Sequence, residues 1–80
     1  MTMRIVLTLH GDMPSMLPQL PREQIIDLRE PQSIGTLIES RFGLDPMIFA
    51  SIVVNGARRH PSYQLTEDAH VLLVLPLAGG

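Results

Sequence analysis

A chain of 80 residues and 8.9 kDa has the length of one domain, and at that size it buries only about 60% of the surface it exposes unfolded. Hydrophobic residues make up 45% and charged residues 18%, too apolar a mixture for a disordered chain. Six basic and eight acidic residues leave a net charge of −2, which disfavours a nucleic-acid-binding basic face. There is no cysteine, and hence no disulfide, thiolate nucleophile or Cys-based metal site. All six cations are arginine, so no side-chain amine can form a Schiff base or accept an acyl group. No apolar run reaches the ~18 residues of a membrane helix, and no export signal is visible. The expectation is a soluble cytoplasmic protein with one layer of helix on one sheet.

Met3 to His10 alternates, with Met3, Ile5, Leu7 and Leu9 on one face and Arg4, Val6, Thr8 and His10 on the other. A period of two predicts a strand, ended by Gly11. Residues 11–21 carry three prolines, which exclude a central strand or regular helix. They read as a long, partly ordered hairpin loop, pinned by Met13, Met16, Leu17 and Leu20. Gln24 to Leu28 is a second strand, with Ile26 and Leu28 on one face and Ile25 and Asp27 on the other. Ser33 is a candidate N-cap. Ile34, Leu37, Ile38 and Phe42 then recur at helical spacing up to Gly43, a candidate C-cap. Gly35 weakens that helix by roughly 1 kcal/mol relative to Ala. Asp45-Pro46 predicts a cap and first-turn proline for one further turn at Met47 to Phe49.

Ser51 to Asn55 is a third strand, and Asn55-Gly56 is a hairpin signal. Ala57 to His60 is the short returning strand, stopped by Pro61. Leu65 to Ala69 reads as a polar turn. The last strand, His70 to Leu75, is apolar on both faces through Val71 to Leu75, the pattern of a strand buried on both sides. It belongs in the middle of the sheet beside the first strand. A helix crossover between two hairpins, with the terminal strands parallel at the centre, is an α+β β-grasp (ubiquitin-like) roll. Its mixed sheet has four to five strands, with one main helix packed on one face. Residues 1–76 form the domain, and Leu77, Ala78, Gly79 and Gly80 follow Pro76 as a flexible, exposed tail.

Three segments carry a family resemblance: Ile52-Val53-Val54-Asn55-Gly56, Leu65-Thr66-Glu67-Asp68-Ala69-His70-Val71 and Leu75-Pro76-Leu77-Ala78-Gly79-Gly80. Together they resemble the MoaD/ThiS family of ubiquitin-like sulfur carrier proteins over most of the chain from about Ile25 onward. The terminal Gly-Gly is the sharpest element, expected by chance in about 0.5% of chains at average glycine usage. The chain reads Asp68-Ala69-His70 where the family has Gly-Asp-Glu, and Asp68 can take the left-handed conformation that Gly supplies. It reads Val74-Leu75-Pro76 where molybdopterin-type members have Phe-Pro-Pro.

The resemblance implies a protein co-substrate rather than an enzyme, with no intrinsic cofactor. A ubiquitin-activating-type adenylating enzyme (MoeB/ThiF-like) uses ATP on the Gly80 carboxylate. A sulfur donor then leaves a thiocarboxylate there. A sulfur-accepting synthase, the molybdopterin synthase large subunit or thiazole synthase, takes the sulfur. Gly79 and Gly80 lack Cβ atoms, which suits a tail threading a narrow channel. The molybdopterin-type pathway is the leading reading. A thiamine thiazole carrier, a ubiquitin-like protein modifier and a non-carrier β-grasp interaction module are the alternatives.

The expected partner-binding residues are Val6, Leu72, Val74, Pro76, Leu77, Ala78, Arg58 and Arg59. Val6, Ile25, Leu72 and Val74 should face away from the helix, and contiguous exposed apolar surface marks an interaction site. The proline-rich loop folding over that face is the competing arrangement. Arg58-Arg59-His60 is positioned to dock an acidic partner patch. His10, His60 and His70 lack metal-ligand spacing, and Asp45, Glu67 and Asp68 show no paired-carboxylate pattern, so no metal site is expected. Neither nucleic acid nor membrane is an expected partner.

Overall fold

The computed structural model describes residues 2–11 and 21–76. The expected loop residues Met13, Met16, Leu17 and Leu20 and the tail Leu77, Ala78, Gly79 and Gly80 lie outside the described residues. Strands β1 (Met3–His10) and β2 (Glu23–Leu28) form an antiparallel pair in which Ile5 opposes Ile26 and Val6 opposes Ile25. The intervening segment is closed at its base by Leu9 N–H donating to Arg22 O at 2.7 Å and by the Arg22 guanidinium donating to Gly11 O.

β3 (Gln32–Ser33) leads into α1 (Ile34–Phe42). The Ser33 hydroxyl accepts from Thr36 N–H at 3.1 Å, as an N-cap should. At the other end Gly43 takes φ +66°, and its N–H donates to Glu39 O. Ile34, Leu37 and Ile38 are fully buried on the sheet-facing stripe. Gly35 has a packing reason: a Cβ there would sit 3.2 Å from Pro61 O and 3.5 Å from Pro46 Cγ. The missing side chain lets the first helical turn close against both prolines.

A 3-10 turn (Pro46–Ile48) follows, capped by the Asp45 carboxylate, which accepts from Met47 N–H at 2.9 Å. The strands β4 (Ser51–Val54) and β5 (Ala57–Arg58) are joined by Asn55 and Gly56 at φ +49° and +84°. Both positive values match the type I′ hairpin that Asn-Gly favours. β5 is shorter than the expected Ala57–His60. Arg59 N–H still donates to Ile52 O, but the chain then turns so that Tyr63 N–H donates to His60 O.

β6 (Gln64–Leu65) pairs with β3 as a separate two-residue ladder. Leu65 is therefore not part of a polar turn: it is 1% exposed and belongs to the core. Asp68 also differs from expectation. Among the described residues Asn55 is the sole non-glycine with positive φ. The Asp68 carboxylate instead accepts from Arg4 N–H at 2.8 Å, so the turn is fixed by a side-chain bond rather than by a left-handed backbone.

β7 (Ala69–Val74) completes a mixed five-stranded sheet of order β2-β1-β7-β4-β5. It lies parallel to β1 and antiparallel to β4. The class is α+β, with one α-helix among the described residues packed on one face of the sheet. The core joins Ile5, Leu7, Val71, Leu73, Ile52 and Val54 from the sheet to the helix stripe. None of the described helices is long and apolar enough to cross a membrane.

Candidate functional site

The alternation that sends Ile5, Leu7, Val71 and Leu73 into the core sends their neighbours to the opposite face. Strand pairing sets these neighbours in rows across the sheet. Ile25, Val6 and His70 form one row, since Val6 opposes both Ile25 and His70. Thr8, Leu72, Val53 and Arg58 form the next. His10, Val74 and Ser51 form the third. Val6, Leu72 and Val74 are half-buried, and Ile25 is 64% exposed. Val6 directly opposes Ile25, and Leu72 directly opposes Val53; Leu72 is the diagonal neighbour of Val6, and Val74 follows Leu72 by two positions on the same face, so the five make one apolar patch.

This patch has polar edges. Arg4 Nε stands 3.8 Å from Asp27 Oδ1, both well exposed, a pair worth little in water. Thr8 Oγ1 and His70 Nε2 are 3.0 Å apart, and His70 N–H donates to Asn55 Oδ1 at 2.8 Å. The apolar run through β7 thus does not reflect burial on both sides. Val71 and Leu73 meet the helix, whereas Leu72 and Val74 stay partly open to solvent.

The exit of β7 is fixed by two backbone hydrogen bonds. Ala50 N–H donates to Val74 O at 2.7 Å, and Leu75 N–H donates to His10 O at 2.8 Å. Pro76 has no N–H to continue the ladder. Gly11 packs on this exit at φ +106°, where an added Cβ would lie 3.0 Å from Leu75 Cβ. Gly11→Ala should therefore cost about 1–3 kcal/mol, from a backbone region that L residues rarely adopt plus the close contact. Urea denaturation checks this, and a loss below about 0.5 kcal/mol, the usual surface range, would contradict it.

Of the expected partner-binding residues, Val6, Leu72 and Val74 come together on the outer face, and Arg58 lies on the same face beyond Val53. Arg58 Nη2 donates to Ala50 O at 3.3 Å. Arg59 turns away and stacks on the Tyr63 ring at 4.7 Å. Pro76 is exposed at the exit. Leu77, Ala78, Gly79 and Gly80 fall outside the described residues.

Val53 extends the apolar surface beyond those residues, and Met47 is exposed apart from it. Val53 sits within the run Ile52-Val53-Val54, where period two is invisible. Met47 is 71% exposed on the 3-10 turn, and no periodicity in so short an element marks its direction. Comparison with protein-family models, curated proteins and solved structures finds no match for this chain.

Proposed function

We propose that this chain is a β-grasp sulfur carrier, a cytoplasmic protein co-substrate whose Gly80 carboxylate is adenylated and converted to a thiocarboxylate. The sheet order supports this most: the first and last strands run parallel at the centre. The segment that carries Gly79 and Gly80 therefore follows a rigid core strand whose ladder stops at Pro76. A fixed launching point followed by the pair Gly79-Gly80, which lacks Cβ atoms, suits delivery of an acyl group into another protein's active site.

The chemistry needs little from the chain itself. A Gly80 carboxylate oxygen attacks the α-phosphorus of ATP, and pyrophosphate leaves. Hydrosulfide then attacks the acyl carbon, AMP leaves with the C–O bond, and the thiocarboxylate remains. The adenylating partner supplies the phosphate-binding machinery. The thiocarboxylate sulfur is then the nucleophile toward an acceptor held by a synthase. The tail proline favours a molybdopterin-type acceptor over a thiazole-type one. The outer-face patch of Val6, Leu72 and Val74 supplies the docking surface in this reading.

ATP–pyrophosphate exchange by the adenylating enzyme of the same cells tests the proposal. Adding the chain should stimulate exchange at least about tenfold, and Leu72→Glu should lower the apparent affinity by a similar factor. Exchange that ignores the chain would reject it. Exchange followed by transfer of Gly80 to lysines on other proteins would favour the protein-modifier alternative.

A further inference from the structure

A second surface lies off the outer-face patch, in a groove of about 420 Å³ between the 3-10 turn and the β4–β5 hairpin. Pro46, Met47, Phe49 and Pro61 supply its apolar lining, and Arg58, Arg59 and His60 supply a basic wall. None of the lining residues is acidic, although the chain as a whole carries −2. The two guanidinium groups are held in position. Arg58 is tied to Ala50 O across the groove, and the Arg59 guanidinium carbon lies over the Tyr63 ring, 4.7 Å from its centroid. Each retains N–H donors beyond these contacts, since a guanidinium carries five. Among the described residues the one ion pair is Arg4 with Asp27, so no carboxylate of the described residues pairs with Arg58 or Arg59.

The groove wall is also rigid. Gly35 N–H donates to Pro61 O at 2.9 Å, and Gly35 brings Pro61 and Pro46 against the same helical turn. Exposed Met47 stands on this frame as an adaptable apolar contact.

We propose that this groove binds a short acidic segment of a partner protein, with an apolar side chain seated against Met47 and Phe49 and carboxylates on Arg58 and Arg59. Charge complementarity selects the occupant. An acidic peptide meets a basic wall with no acidic residue in the groove lining, and guanidinium groups pair with carboxylates through parallel N–H donors. The apolar lining disfavours nucleic acid, which would leave Pro46, Met47 and Phe49 unused. The inference does not depend on sulfur transfer and stands or falls separately.

The test is an amide-resolved NMR titration of the whole chain with a synthetic peptide bearing one Phe and one Leu among Glu residues. The same peptide with Lys for Glu and a single-stranded oligonucleotide are the controls. The acidic peptide should shift the amides of residues 47–52 and 58–60 saturably. Arg58→Glu should weaken it roughly tenfold, Met47→Ser should weaken it in the same direction, and Arg41→Glu on the helix surface should leave it unchanged. Four results overturn the proposal. These are no saturable shifts, equal response to the Lys peptide, tighter response to the oligonucleotide, or concentration-dependent shifts of the same amides without peptide, which would assign the groove to a second copy.

Discussion

Leu73→Glu should unfold the domain, whereas Leu72→Glu should leave it folded. Leu73 has no solvent exposure and belongs to the same buried cluster as Leu37 and Ile38 of the helix. An unpaired carboxylate there costs several kcal/mol. Domains have only about 5–15 kcal/mol to lose, and one this short sits toward the lower end. Leu72 points the other way, between Thr8 and Val53 in the outer-face row. It is only half-buried, so the loss of packing should stay near 1 kcal/mol. Circular dichroism with urea melts distinguishes the two: no cooperative transition for Leu73→Glu, and a near-normal midpoint for Leu72→Glu. If Leu72→Glu also unfolds, the outer face is covered core and not a docking surface.

Under the proposed sulfur-carrier function, deleting Gly80 should abolish sulfur loading without destabilising the domain. The last backbone pairing at the exit is Leu75 N–H to His10 O, so removal of residue 80 breaks no hydrogen bond among the described residues. Stability should stay within about 0.5 kcal/mol, as for surface changes generally. The chemical effect is far larger. One residue of extended chain spans about 3.3–3.6 Å, and a misplacement of about 1 Å can cost a hundredfold in rate. Extending the chain by one residue past Gly80 should fail by the same geometry in the opposite direction. Thiocarboxylate yield at fixed time, beside a urea melt of the same sample, reads both quantities. A shortened chain that loads normally would transfer the assignment to another group.

The elements that announce themselves locally were readable from the residues. β1 alternates strictly, and its buried face is Met3, Ile5, Leu7 and Leu9, as the period of two requires. Ser33 and Gly43 mark the helix ends by side-chain chemistry and by backbone freedom. Asn55-Gly56 marks its own turn. Gly35 looked like a propensity cost, and only the approach of Pro46 and Pro61 explains it.

What escaped the sequence depends on distant partners. β3 and β6 have two residues each, too few to show any period, so Leu65 read as turn although it is core. Asp68 reaches Arg4 across 64 positions, which no local pattern encodes. The outer-face patch was half legible. Val6, Leu72 and Val74 followed from alternation, whereas Val53 joined them only through strand pairing. The groove required both the 3-10 turn and the hairpin to be in place before Met47 and Arg58 became neighbours of one surface.

The most direct test of the sulfur-carrier reading is mass spectrometry of the N-terminally tagged chain after incubation with ATP and sulfide in extract of its own cells. The C-terminal peptide ending at Gly80 should gain about 16 Da, and the gain must be localised there because methionine oxidation elsewhere nearly matches that mass. The gain should require ATP and be absent from the Gly80-deleted chain. An unchanged C-terminal peptide, or the same gain in the deleted chain, would contradict the sulfur-carrier reading.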